Sequence, residues 1–257
     1  MSQLLSKAGF VLIELLGVAI DAAHGPWVFR GVCAHFERGE LTFVISSDRA
    51  ARVALLDVVS GRRVPTEGRA WVSGTPLMRD TADTVATFVG RVDFQQAFAE
   101  ERTVFANVLP ADPWWSRVTR PHLRSRGSAA VRELARQTLE RVGLSSCADQ
   151  PVSNLDAWRR RRLVIAQAMI PRRDHLVAPE VDEELSPPQA ADVLGVLRTV
   201  ARSSGISVFV SAADATLVQL FADRVLVLAD GVLAFDGPPQ ALGDHATPRQ
   251  RALMRAG

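Results

Sequence analysis

The chain has 257 residues, of which 47% are hydrophobic and 23% charged, and its formal net charge is +2. This balance excludes an intrinsically disordered chain, and the near-neutral charge gives no general reason to expect nucleic-acid binding. Among the 30 basic residues Lys7 is the only lysine, so the interior of the sequence offers none to a phosphate-binding loop. Cys33 and Cys147 are far apart and lack metal-ligand spacing, which indicates reduced thiols and a cytosolic protein.

The first part of the chain is predicted to be rich in β-strands. Apolar runs predict strands at residues 10–20, 27–36, 41–45, 69–73 and 84–94. The first run is interrupted by Glu14 and is far too short to span a membrane. We therefore interpret it as a strand rather than as a targeting or membrane segment.

Helices dominate the middle of the chain, and strands and helices alternate after it. Residues 97–167 are predicted to be mostly helical, because apolar side chains recur at spacings of three and four. Beyond them the pattern predicts a helix that ends at residue 169, a strand at 175–178, a helix at 188–204 and strands at 206–211, 225–228 and 232–235. This alternation indicates a parallel sheet covered on both faces, which places the chain in the α/β class.

One turn has the position of a phosphate-binding loop but not its chemistry. Residues 46–53 read SSDRAARV, between the strand 41–45 and an apolar helix segment that Ser60-Gly61 would stop. A strand, a tight turn and a helix N-terminus bind anions when glycines let backbone N–H groups approach the ligand. This turn contains neither glycine nor lysine. The sequence therefore predicts the architecture of a phosphate site without its function.

A series of short stretches, weak singly but specific in their order and spacing, runs through the chain. They are Arg38-Gly39-Glu40, Leu55-Leu56, Ser60-Gly61, residues 65–68, Phe94-Gln95-Gln96, residues 103–109, Pro113-Trp114-Trp115, residues 139–144, residues 222–225 and residues 235–239. In these stretches the chain resembles the ATP-binding subunits of ABC transporters, closest to the phosphonate-importer branch. The resemblance implies an ABC-type P-loop NTPase fold, with a parallel-sheet core and an antiparallel β portion. Residues 1–96 and 165–257 would form the core, and residues 97–164 an inserted helical subdomain.

The phosphate loop departs from the family pattern at the positions that carry chemistry. In the family it reads G-x-x-G-x-G-K-[ST], in which glycines expose amides, the lysine reaches the β- and γ-phosphates and the last hydroxyl holds Mg²⁺. The resemblance places it on Ser46, Ser47, Asp48, Arg49, Ala50, Ala51, Arg52 and Val53. Side chains replace the three glycines, Arg52 replaces the lysine with a wide planar fork, and Val53 cannot ligate magnesium. We expect a vestigial loop.

The second half of the family's site departs in the same way. The signature L-S-G-G-Q, which contacts the γ-phosphate held by the facing subunit, falls on Leu155, Asp156, Ala157, Trp158 and Arg159. A carboxylate at Asp156 would repel a triphosphate, and Trp158 fills space that glycine leaves open. The same alignment puts Pro179 at the magnesium-ordering aspartate and Ala213 at the switch histidine, and leaves no adenine-stacking aromatic at residues 20–23.

Two family positions keep their residues. Gln95 matches the magnesium-sensing glutamine and Glu180 the catalytic glutamate, and each also has a structural interpretation. Gln95 is an ordinary polar residue for a junction between a strand and a helical segment, and Glu180 belongs to an acidic loop that would stay solvated. Because a general base needs a positioned water and a reacting centre, we expect both residues to be vestigial.

Metal and nucleic-acid sites are not expected. His175 falls within a predicted strand, and the other histidines lack a partner at i, i+4. Successive helix residues point about 100° apart, so Arg159–Arg162 cannot form one basic stripe. Trp114-Trp115 is interpreted as an apolar plug of the helical segment.

The sequence thus predicts a pseudo-ATPase subunit with a structural or regulatory role in an importer of phosphonates or related organophosphorus anions. No cofactor is expected. Two alternatives stay open: a weak ATPase that uses ATP and magnesium through Arg52, Gln95 and Glu180, and a freestanding cytosolic scaffold. The resemblance implies a permease subunit at the inner face of the membrane as partner, and a homodimer or a heterodimer with another ATP-binding subunit. Asp48 and Asp156 are expected to cap their own helices.

Overall fold

The computed structural model describes residues 11–22, 27–109, 124–170, 173–211 and 215–245. The chain divides into two compact units. The first unit contains the described residues up to Arg91 and from Asp174 onward, and the second is formed by the described part of residues 92–173. The second unit extends beyond the predicted insertion, 97–164, at both ends. Trp114-Trp115 and Ala213 lie outside the described residues.

All ten strands of the described chain belong to the first unit. They are β1 (Val11–Ile20), β2 (Phe29–Glu37), β3 (Leu41–Ile45), β4 (Glu67–Val72), β5 (Thr75–Pro76), β6 (Val89–Arg91), β7 (His175–Ala178), β8 (Ser207–Ser211), β9 (Arg224–Ala229) and β10 (Val232–Gly237). The α-helices are α1 (Arg49–Val59), α2 (Ala82–Ala86), α3 (Val104–Val108), α4 (Arg124–Arg141), α5 (Ala157–Met169), α6 (Pro187–Ser204), α7 (Ala215–Phe221) and α8 (Pro239–His245). Helices α3, α4 and α5 form the second unit together with 3₁₀ helices at Ser145–Cys147 and Val152–Asn154.

The strands form one mixed sheet and one antiparallel sheet. The mixed sheet has the order β10-β9-β3-β8-β7-β6, and all its neighbours are parallel except β9 and β10. The other sheet has the order β2-β1-β4-β5 and is antiparallel throughout. Strands β3, β7 and β8 are buried along their whole length, as expected for parallel strands covered on both faces. The predicted parallel core with an antiparallel portion is confirmed.

The predicted strand at residues 84–94 is wrong. The segment forms the short helix α2 and then only the three residues of β6. Val85 is the buried residue of α2 and Val89 begins β6, while Ala86 and Thr87 between them are exposed and interrupt the apolar run. A hydrogen bond from the Met78 backbone N–H to Thr81 Oγ1, 2.9 Å long, fixes the turn before the helix.

His175 is a core residue at the start of β7. Its side chain is fully buried between Val89 of β6 and Ser207 of β8, and its ring lies edge-on to Phe209 with 6.3 Å between the centroids. Neither ring nitrogen has a hydrogen-bond partner among the described residues. Burial lowers the pKa of His175 to about 4; Asp174 opposes this shift and Arg38 adds to it. The imidazole is therefore neutral at physiological pH. No group of His, Cys, Asp and Glu side chains in the described ranges could hold a metal ion.

This buried imidazole predicts a specific acid sensitivity of the fold. Between the unfolded pKa of about 6.5 and the folded pKa of about 4, the unfolded chain binds a proton that the folded chain does not. The free energy of unfolding therefore falls as the pH is lowered through this window, by about 3 kcal/mol in total. We expect His175→Leu to remove that part of the pH dependence. Urea denaturation of both proteins between about pH 7 and about pH 4 measures it, and identical pH profiles would contradict the assignment.

Candidate functional site

A strand, a turn and a helix N-terminus form the predicted loop in the first unit. Strand β3 ends at Ile45, and α1 begins at Arg49, inside the segment predicted as loop. Ser46 Oγ accepts a hydrogen bond from the Asp48 backbone N–H at 3.1 Å, and Asp48 Oδ1 accepts one from the Ala50 N–H at 2.8 Å. The predicted capping role of Asp48 is confirmed. Side chains of the loop thus satisfy amides that an anion would otherwise bind.

An ion pair joins the loop to the segment that follows β7. The Arg49 guanidinium donates through Nε and Nη2 to the two carboxylate oxygens of Glu180, and the Nη2–Oε2 distance is 2.5 Å. The hydrogen bond from Arg49 lowers the pKa of Glu180 and raises the pKa of Arg49, so both groups are charged at neutral pH. This forked geometry is the strongest form of arginine–carboxylate contact. The Glu180 side chain is only 18% exposed, so the interpretation of Glu180 as a solvated loop residue is wrong.

The backbone of Glu180 is fixed as firmly as its side chain. Its φ of +51° lies in the left-handed region that non-glycine residues rarely adopt. The Glu180 N–H donates to Ser211 Oγ at 2.9 Å, and the Val181 N–H donates to the Ser211 carbonyl at 3.0 Å. Ser211 is fully buried at the end of β8. The neighbouring strand therefore holds the unusual conformation that aims Glu180 at Arg49.

Arg52 turns back onto its own loop. Its Nη1 donates to the carbonyl of Ser46, and its buried Nε has no acceptor among the described residues. Ala51 is buried, and Pro179 follows β7 directly. Val53 is partly buried, and its side chain contains no oxygen. Ser47 and Ala50 are exposed. Neither Val53 nor Pro179 can present the side-chain hydroxyl or carboxylate that holds Mg²⁺ in P-loop proteins.

The predicted signature segment begins α5 in the second unit. Asp156 Oδ1 accepts the Arg159 backbone N–H at 3.0 Å, and Asp156 Oδ2 accepts Arg159 Nη1 at 2.7 Å. Asp156 is therefore the N-cap of α5, as expected. The guanidiniums of Arg159 and Arg162 lie over the Trp158 ring at 4.7 and 4.5 Å, and Ala157 is exposed. Carboxylate and guanidinium groups of the chain itself thus surround this helix N-terminus.

Comparisons with known proteins identify the fold and the relatives of the chain. No protein-family model matches it. It is 28% identical over 85% of its length to Phosphonates import ATP-binding protein PhnC 2 of Synechococcus sp., covering 82% of that protein. It is 26% identical over 93% of its length to Phosphonates import ATP-binding protein PhnC of Alcaligenes faecalis, covering 87%. The structure of cbiO1 from Clostridium perfringens, part of the ABC transporter complex cbiONQ, superposes with a TM-score of 0.78 over 96% of this chain and 99% of that one, at 19% identity.

The chain is a homologue of ABC-transporter ATP-binding subunits and has their fold. The sequence resemblance and the fold expected from it are thereby confirmed. In the described part of this cassette no helix is long and apolar enough to cross a membrane.

Gln95 and the arginines that begin α5 are the remaining predicted residues. Gln95 is exposed in the second unit, where its backbone N–H donates to Asp93 Oδ1 at 3.1 Å, and Glu180 lies in the first unit. The four arginines that begin α5 diverge, as the helix geometry predicts. Arg159 binds Asp156, Arg160 binds Glu100 through a fork of 2.6 and 2.7 Å, Arg161 stacks on Phe94, and Arg162 donates to the Val142 carbonyl.

Arg49–Glu180 and Arg160–Glu100 are among the ion pairs that sequence reasoning missed. The partners of the first are 131 residues apart in sequence, and those of the second are 60 apart. No local spacing rule connects such residues. The sequence offered a hint for the first pair. When an arginine occupies a turn that normally faces an anion, a retained carboxylate in the loop after another strand of the same sheet is an available partner.

Proposed function

We propose that this cassette is a structural or regulatory subunit of an importer for phosphonates or related phosphorus oxyanions, and that it neither binds nor hydrolyses Mg-ATP. The names of its relatives support the transport context. The observation that carries the absence of nucleotide chemistry is the Arg49–Glu180 ion pair. It holds a carboxylate of the chain against the loop that would face the phosphates.

The charges around the pair give a triphosphate little to bind. Asp48 caps α1 and Glu180 binds Arg49. Arg49 and Arg52 are the cations that act on Glu180. Two carboxylates thus balance two guanidiniums, and no net positive charge of these groups attracts a highly charged anion.

The side chains present do not fit a magnesium nucleotide. Ser46, Arg49 and Ala51 put side chains where the family has glycines, and Arg52 is bound to the Ser46 carbonyl. Val53 and Pro179 replace the residues that bind and order Mg²⁺ in the family. At the signature, the Asp156 carboxylate caps the helix N-terminus that the family offers to the γ-phosphate. Accordingly we propose no cofactor for this cassette.

The weak-ATPase alternative requires two interactions of the chain to break, the Arg49–Glu180 ion pair and the hydrogen bond from Arg52 to the Ser46 carbonyl. Glu180 could act as a general base only after leaving Arg49, and Arg52 could reach a phosphate only after leaving the Ser46 carbonyl. Gene context distinguishes the freestanding-scaffold alternative from the transport function. Neighbouring genes for a permease and a binding protein would support transport. For the transport function we propose a cytoplasmic location, peripheral at the inner face of the membrane through a permease subunit.

The first prediction is that Mg-ATP does not bind at physiological levels. Calorimetric titration of the purified chain should give no saturable heat that corresponds to a dissociation constant below about 1 mM, which is about −4 kcal/mol. Circular dichroism of the same sample controls for folding. A tighter constant, or steady phosphate release above the buffer rate, would contradict the proposal.

The second prediction concerns Glu180→Gln. In a working cassette ATPase this change would abolish turnover and trap bound ATP, whereas here we expect neither turnover nor trapped nucleotide before or after it. Filter binding with labelled ATP measures trapping, and Glu183→Gln serves as the matched control on the same loop. A nucleotide-trapped state specific to Glu180→Gln would restore the enzyme interpretation.

The third prediction is that the cassette dimerises without ATP. The family pairing sets the loop of one copy opposite the signature of the other, and here arginines would meet Asp156 and the acidic turn Asp182–Glu184 where phosphates stand in relatives. In the single chain Arg49 is held by Glu180 and Asp156 by Arg159, so such pairing must exchange partners. Sedimentation should show dimers that high salt weakens.

The variant Asp156→Ser removes the carboxylate charge without removing the helix cap, because serine also caps helices. An effect of this variant on the dimer therefore reports the charge and not a loss of folding. We expect it to weaken the dimer, and Glu101→Gln, an exposed change in the same unit, to leave the dimer unchanged. A monomer at every salt concentration, or a dimer indifferent to Asp156→Ser, would end the proposal.

A further inference from the structure

A cleft of about 440 Å³ lies within the second unit, away from the signature segment in sequence. Its apolar surface comes from Phe105 of α3, Leu139 of α4 and Ala148, which follows the 3₁₀ helix Ser145–Cys147. Its polar surface comes from Arg136, Glu140, Ser145 and Asp149. The volume is within the range of sites that take a small ligand or a few side chains of a partner.

The charges of the cleft are unbalanced. Arg136 is already engaged, since its guanidinium lies over the Phe105 ring at 5.8 Å and 3.8 Å from the Glu133 carboxylate. Glu140 and Asp149 are exposed, and within the described ranges no base forms an ion pair with either of them. The cleft therefore combines an aromatic and aliphatic floor with two carboxylates that lack a cation.

We propose that this cleft docks a segment of a partner protein that presents an arginine or lysine beside an apolar side chain. The apolar side chain would cover Phe105 and Ala148, and the cation would bind between Glu140 and Asp149. At protein interfaces burial of apolar side chains supplies affinity, and complementary charges at the rim supply selectivity. Long basic side chains suit both surfaces, because the aliphatic stem packs while the charged head stays at the rim.

Charge and position separate this surface from the sites described above. A phosphorus oxyanion would meet Glu140 and Asp149 and be repelled, so the cleft does not suit the transported ligand. It uses none of the residues of the phosphate loop or the signature. The proposal therefore does not depend on whether the cassette hydrolyses ATP.

The test titrates the full chain with short acetylated and amidated peptides that carry leucine and arginine at neighbouring helical positions. A matched peptide has glutamine in place of each arginine. We expect the arginine peptide to bind with a dissociation constant on the order of 0.1 mM and the glutamine peptide about tenfold more weakly. The double change Glu140→Gln with Asp149→Asn should cost the arginine peptide about the same factor. Fluorescence anisotropy of a labelled peptide measures all of these.

Two further variants make the outcome specific. Ser145→Trp, which fills the cleft from its rim, should abolish binding, while Glu101→Gln, an exposed carboxylate of the same unit outside the cleft, should not change it. The proposal is overturned by absence of binding, by equal affinity for both peptides, or by equal losses in the cleft and control variants. Self-association that Ser145→Trp removes, seen by sedimentation without peptide, would instead assign the cleft to a second copy of the chain.

Discussion

The Arg49–Glu180 ion pair is the interaction on which the proposed absence of nucleotide binding depends. It joins the first turn of α1 to the loop after β7, and Ser211 at the end of β8 fixes the backbone that aims Glu180. The ends of three adjacent strands, β3, β7 and β8, thus converge on one internal contact. In relatives of this fold the corresponding edge faces a ligand. Here the Arg49 guanidinium at that edge binds a carboxylate of the chain itself.

The predicted signature segment in the second unit also has an aspartate at its helix N-terminus. Asp156 caps α5 through the Arg159 amide and also binds the Arg159 side chain. Asp48 does the equivalent for α1 through the Ala50 amide. In each case the aspartate side chain accepts one backbone amide two or three residues away and places its negative charge at the positive end of the helix dipole. The predicted phosphate loop and the predicted signature segment thus share one N-cap arrangement.

The sequence was informative where burial alone decides structure. Strands β3 and β7 and the end of α5 at Met169 follow from uninterrupted apolar runs and their boundaries, and the caps follow from Asp48 and Asp156 standing directly before helices. The segment 84–94 was misjudged as one strand because Val85 and Val89, four residues apart, fit the period of a strand as well as that of a helix. The Arg49–Glu180 pair could not be derived, because it depends on how two remote strands register in the sheet. Likewise, no local pattern predicts the cleft beside Phe105, because the cleft forms only when α3 and α4 pack together.

The most direct test of the account is an experimental structure of the chain prepared with excess Mg-ATP. The account predicts that Arg49 remains bound to Glu180, that Arg52 remains on the Ser46 carbonyl, and that no nucleotide density lies against residues 46–53. Nucleotide phosphates bound to the amides of that loop, with Glu180 released from Arg49, would contradict it.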